Sequence, residues 1–269
     1  MPFYSFLLIM MSLEIWACSP SETSSSVLST LDSLTIDSIY QQNGVTGSLV
    51  VYDQNHDAYL TYHGDRVNQG YIPASTFKII NSLIALEENI VPDENTMVPW
   101  DSVERGLEVW NQDHNLRSGI KYSVVWLYQD IARKVGEEAY RRWLAKAGYG
   151  NHDPGGGVDM FWLSGDLRIT PRQQVDFLRR LYHDDLPFSQ RSLAITKDIL
   201  IYEQTDQYTF RAKTGWSDAF TPGVGWFVGY LETGDNVYFF ANQLDIQKDE
   251  DIPARAQIVK DVFSRLGVI

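Results

Sequence analysis

Three short strings carry side chains whose types and order can do chemistry: Ser75-Thr76-Phe77-Lys78, Ser123-Val124-Val125 and Lys213-Thr214-Gly215. The first sets a hydroxyl and an amine three residues apart, and residues so spaced share one face of a helix. A serine hydroxyl is a poor nucleophile unless an adjacent group takes its proton. An amine does that only when deprotonated, which burial among apolar groups promotes. The unpaired N–H groups and positive dipole end at a helix start can hold the oxyanion formed when such a serine attacks a carbonyl. Ser123 can relay a proton toward a leaving nitrogen, serve as a helix N-cap, or do both. Lys213 brings positive potential and Thr214 a hydroxyl, while Gly215 permits close backbone approach and Trp216 offers a backbone N–H as a second oxyanion donor. Together the strings describe acyl transfer through a serine, beside a strand that binds a carboxylate.

The elements that must position these groups are legible from periodicity. Gly47–Asp53 and Ala58–Tyr62 read as strands around a polar turn. Ser75–Leu86 reads as a helix following Pro73-Ala74. From about Pro92 to Asp185 the chain reads as helices and loops, with helical spacing over Val124–Gly136, Glu137–Ala147 and Arg172–His183. The last of these follows Thr170-Pro171, a cap and then a proline in the first turn. Strands return at Tyr208–Lys213, Gly223–Leu231 and Asn236–Ala241, and Ile252–Leu266 closes the chain as a helix. The order predicts an α/β fold: an antiparallel sheet built from both chain ends, flanked by helices, with an all-helical region of about 75–190 inserted. Catalytic residues would then lie within a single unit spanning 31–269.

Composition limits the partners. A net charge of −13 over 269 residues argues against nucleic acid or an anionic membrane surface as a ligand. Phe3–Ala17 is mostly apolar and too short to span a bilayer, so residues 1–18 read as a secretory leader, although Glu14 and the lack of a positive start depart from the pattern. Cys18, the only cysteine, follows Ile15-Trp16-Ala17 and resembles a bacterial lipoprotein cleavage site. It has no partner for an intramolecular disulfide. Residues 19–30 are rich in Ser and Thr and read as a flexible tether. The expected address is the periplasm, with lipid on Cys18 as the only membrane contact.

The five histidines are scattered without H-E-x-x-H or H-x-H, which argues against a metal hydrolase. No G-x-S-x-G elbow and no phosphate-binding glycine motif is present. With those chemistries set aside, the chain resembles the class D β-lactamases, the oxacillinases, from about Thr46 to Leu266. The likeness rests on the three strings together with Trp110–Leu116, Tyr149-Gly150-Asn151, Phe161-Trp162-Leu163 and Arg255. It implies an α/β unit beside a helical one with the site between them, and hydrolysis of the β-lactam amide of penicillin-type antibiotics, giving resistance. It implies Ser75, Lys78, Ser123, Trp162 and Lys213 as catalytic residues, and Trp110, Val125, Leu163, Thr214, Gly215, Trp216 and Arg255 as the substrate's contacts, with Arg255 on its carboxylate.

The resemblance also implies carbamylation of Lys78 to N6-carboxylysine by CO₂ or bicarbonate, with no metal and no other cofactor. Its physical ingredients are present. Phe77, Val125 and Leu163 would dry the pocket, and Trp162 would donate its indole N–H to the carbamate. The Phe161–Thr170 segment contains no glutamate to act as an alternative base. Two other readings of the same motifs are a β-lactam sensor that stays acylated and a peptidoglycan transpeptidase or carboxypeptidase.

Overall fold

Seven consecutive buried residues, Gly47–Asp53, run along the first strand, so it must be covered on both faces. In the computed structural model, which describes Met1 and residues 25–269, that strand, β1 (Thr46–Asp53), sits inside a six-stranded antiparallel sheet. The others are β2 (Ala58–Tyr62), β3 (Ile201–Gln204), β4 (Tyr208–Ser217), β5 (Gly223–Thr233) and β6 (Val237–Ile246), in the order β2-β1-β6-β5-β4-β3. β1 pairs with β6 from Thr46↔Asp245 to Asp53↔Tyr238, joining the two ends of the chain as expected.

Strand side chains alternate between faces, and here the alternation divides two cores. Val50, Tyr52, Val228, Tyr230, Phe239 and Ala241 face the helical side. Leu49, Val51, Phe227, Leu231 and Phe240 face α1 (Ser33–Gln42) and α8 (Ala254–Arg265). On the helical side α2 (Lys78–Glu87) is buried from Lys78 through Leu86, as a helix apolar on all sides must be. Around it lie α3 (Leu116–Lys121), α4 (Val125–Val135), α5 (Glu137–Ala147) and α7 (Gln190–Ile199). The sixth helix, α6 (Pro171–Tyr182), packs on the sheet itself. It begins with the anticipated cap, Thr170 and Gln173 exchanging side-chain and backbone bonds ahead of Pro171.

Two details differ from expectation. Val27–Thr30, placed in the tether by composition, forms a 3₁₀ turn with Leu28 buried, because Ser26 bonds the buried Asp53 carboxylate at 2.5 Å. β4 also runs on through Lys213-Thr214-Gly215-Trp216 to Ser217, since all of these pair with β5. The leader and Cys18 lie outside the described residues. Among the described residues, no helix is long and apolar enough to cross a membrane.

Candidate active site

Ser75 does not sit in the first turn of a regular α-helix. Ala74–Phe77 forms a 3₁₀ turn that feeds α2, and Ala74 has φ +49°, in the left-handed region. In a 3₁₀ turn, residues three apart eclipse one another, so Lys78 is stacked over Ser75 rather than beside it. Its Nζ donates to Ser75 Oγ at 2.8 Å. The strained turn is held from behind. Thr76 Oγ1 donates to the Pro73 carbonyl at 2.7 Å and accepts from Gln174 Nε2 of α6 at 2.9 Å.

Lys78 is fully buried, and Ser75 is 8% exposed. The ring of Phe77, the residue before the lysine, stacks on that of Trp162 at 5.1 Å, and the Tyr128 ring lies 5.4 Å from Lys78 Nζ. Burial alone draws the Lys78 ammonium down to about 7. The Trp162 indole Nε1 is buried and has no hydrogen-bond partner. A buried donor left unsatisfied is costly, so this N–H points to an acceptor that the protein itself does not supply.

Ser123 occupies the turn between α3 and α4 with φ +53°. It is not the cap, because Val124 holds that position and makes no side-chain bond to the helix. The turn is braced instead by tryptophans: Trp110 Nε1 donates to the Tyr122 carbonyl at 2.9 Å, and Trp126 Nε1 donates to the Trp110 carbonyl at 2.8 Å. The Ser123 hydroxyl is left to meet Lys213 Nζ, which also donates to the Thr214 carbonyl at 3.0 Å. Burial, then the charges of Lys78 and Arg255, push the Lys213 ammonium well below its usual range. Val125 is half-buried in the first turn of α4, and the fully enclosed valine is its neighbour Val124.

Lys213, Gly215 and Ser217 share the buried face of β4, while Thr214 and Trp216 face the other way and Trp216 is 39% exposed. Gly215 is required by the Ser75 turn: a Cβ there would lie 3.1 Å from Thr76 Cγ2 and 3.2 Å from the Pro73 carbonyl oxygen. Gly225 leaves a gap on β5, where a Cβ would lie 2.7 Å from Ile246 Cδ1 and 3.1 Å from Arg255 Cδ. Through that gap the Arg255 guanidinium reaches the Gly215 carbonyl, with Nη1 donating at 2.7 Å. Its Nε bonds the Ile252 carbonyl at 2.7 Å, and burial lowers its pKa to about 10. A groove of about 590 Å³ opens along Lys213 and Thr214, walled by Ile120, Lys121 and Tyr202.

The structure therefore brings Ser75 and Lys78 together in an enclosed apolar setting, with Trp162 stacked on the intervening Phe77, and groups Ser123, Lys213, Thr214 and Arg255 as a polar set. Leu163 flanks the first and is only half-buried. Among the described residues, no group of three or more His, Cys, Asp or Glu is arranged to hold a metal ion. Sequence reasoning missed Ser217, whose hydroxyl donates to the Leu163 carbonyl at 2.7 Å, and Tyr128, whose hydroxyl shares a 2.8 Å bond with Ser82. Neither belongs to a motif; only the strand alternation that sets Ser217 level with Lys213 gives a signal.

A family model for the penicillin-binding protein transpeptidase domain matches residues 47–264. β-Lactamase OXA-48 of Klebsiella pneumoniae is 43% identical over 83% of this chain and 84% of its own length. The crystal structure of the class D β-lactamase YbXI from Nostoc superposes with a TM-score of 0.85 at 44% identity, covering 87% of this chain and 99% of the other. FUS-1 (OXA-85) of Fusobacterium nucleatum subsp. polymorphum gives 0.86 at 39% identity, covering 89% and 100%. The chain belongs to the class D β-lactamases, serine enzymes built on the penicillin-binding transpeptidase fold.

Proposed function

We propose that this protein hydrolyses the β-lactam amide through an acyl-enzyme on Ser75, with Lys78 carbamylated, and so confers resistance to penicillin-type antibiotics. One observation carries the mechanism: a fully buried lysine 2.8 Å from the serine hydroxyl, with Trp162, stacked on the neighbouring Phe77, holding an indole N–H that lacks an acceptor. A lysine drawn down to about 7 is substantially neutral at physiological pH, and a neutral amine adds CO₂ with release of a proton. The product is an anion in an apolar pocket, and such an anion requires a donor, which Trp162 Nε1 provides. When formed, the carbamate supplies the general base for both half-reactions.

Ser75 Oγ loses its proton to the Lys78 side and attacks the lactam carbonyl. The N–H groups of the Ser75 turn and of Trp216 hold the oxyanion. As the carbon–nitrogen bond breaks, the nitrogen takes its proton from Ser123, which Lys213 polarises. Lys213, Thr214 and Arg255 hold the substrate carboxylate through charge-assisted bonds, while Trp110, Val125, Leu163, Gly215 and Trp216 shape the cleft around it. The proton taken from Ser75 is returned to Ser123, which frees the Lys78 side to accept a proton from the water that attacks the ester. That proton passes to Ser75 Oγ as the carbon–oxygen bond to the acyl group breaks. Intact-mass spectrometry tests the scheme. A penicillin should leave a transient adduct on Ser75, and Ser75→Ala should remove adduct and turnover together. An adduct that persisted in that variant, or one that never cleared from the wild type, would overturn it.

The leader and Cys18 support export to the periplasm, with lipid on Cys18. Wild-type protein should sediment with membranes and Cys18→Ser should not; an equally soluble wild type refutes the anchor.

A further inference from the structure

We propose that Ser217 is a positioning residue for the Lys78 pocket: its buried hydroxyl fastens the loop that carries Trp162 to the strand that carries Lys213. The proposal rests on the carbamylated-lysine reading given above. Ser217 ends the buried face of β4 begun by Lys213 and Gly215, and is 6% exposed. A hydroxyl so enclosed must find a partner, and it donates to the Leu163 carbonyl at 2.7 Å. Leu163 is the residue after Trp162, so the bond acts on the Leu163–Ser164 peptide, one peptide unit beyond the residue that carries the indole. The loop is held elsewhere by its own turns, where Met160 O accepts from Leu163, Ser164 and Gly165 N–H groups. Its return arm is tied by Asn151, which donates to Asp166 O at 2.9 Å and accepts from Arg168 N at 2.9 Å. Among the described residues, Ser217 makes the one hydrogen bond between this loop and β4. The Arg168 guanidinium, 5.3 Å from the Phe220 ring, adds a cation–π contact to the turn beyond β4.

The consequence is specific. Trp162 is fixed on one side by stacking on Phe77, which belongs to the serine turn. Ser217 fixes it on the other, against the strand along which the substrate lies. The bond thus restrains the loop that positions the indole. Without the bond the loop backs away from β4, the indole tilts, and an anion on Lys78 loses part of its stabilisation.

Carbon-13 bicarbonate NMR on the resting protein reads this directly, alongside acylation and deacylation rates. In wild type a carbamate resonance should appear. In Ser217→Ala, half-occupancy should need about tenfold more bicarbonate, the equivalent of one hydrogen bond. Deacylation should fall more than acylation and recover with added bicarbonate, and Ser217→Thr should restore the wild-type midpoint. A purely structural serine would lower the melting temperature and leave the bicarbonate midpoint unmoved; that outcome overturns the proposal. Should the alanine variant not fold, Ser217→Cys keeps the volume, weakens the donor and decides the same question. Absence of any wild-type resonance would instead refute the carbamate reading on which the proposal stands.

Discussion

Two buried lysines lie on either side of Ser75 and are treated differently by their surroundings. Among the described residues Lys78 has one hydrogen-bond partner, the Ser75 hydroxyl, and lies by the Tyr128 ring next to Phe77, which stacks on Trp162. Lys213 is equally enclosed but bonds Ser123 and the Thr214 carbonyl beside an open groove. Burial lowers the affinity of both for a proton. For Lys213 the charges of Lys78 and Arg255 lower it further. Replacing the Lys78 cation with an anion would reverse the first of those charges and draw Lys213 back up. An incoming carboxylate would do the same. The comparison teaches that the dry pocket removes a proton so that the wet one can keep its own.

The largest expected effect breaks the dry half. Lys78→Ala should lower kcat by about 10³-fold, within the range general-base catalysis supplies, and should trap any adduct on Ser75. Stopped-flow acylation against steady-state turnover measures the split. Lys213→Ala, in the wet half, should cost about 10²-fold in kcat/KM, shared between KM and kcat, because this lysine serves both the carboxylate and Ser123. A loss confined to kcat would remove it from the carboxylate.

The next test sharpens the comparison by pH. Acid should discharge the carbamate, and reactivation requires the neutral amine. Because Lys78 titrates near 7, only about a tenth of the free amine is neutral at pH 6 but about nine tenths at pH 8. At equal dissolved CO₂, recovery should therefore be about tenfold faster at pH 8, and equal rates at both values would contradict a depressed Lys78. The smallest effect is at the rim. Arg255→Ala should raise KM by about tenfold with kcat little changed, as for a contact made equally in ground and transition states.

The sequence makes the dry half unusually readable, because a three-residue spacing survives the change from an α-helical to a 3₁₀ turn. It misreads the local geometry. Nothing in Pro73-Ala74 announces a positive φ at alanine, in a turn that lies close against Gly215 of β4. Ser123 reads as a cap because serine favours caps, yet tertiary bracing by Trp110 and the pull of Lys213 override that preference. β3 and α7 escape notice because Ile201–Gln204 is short and mostly exposed, and Gln190–Ile199 has a mixed polar pattern. Ser217 is a single residue without a repeat or neighbour to mark it.

The pairing of β1 with β6 carries a temporal meaning. Thr46 waits for Asp245, so about three quarters of the chain separates the two sides of one ladder. Contacts this distant are slow to form and cannot form early. A nascent chain therefore holds its serine, both lysines and Trp162 long before it has the strands that assemble them. Competence should arrive abruptly, with the final strand and helix, and a chain halted before Val237 should have no partial activity to lose.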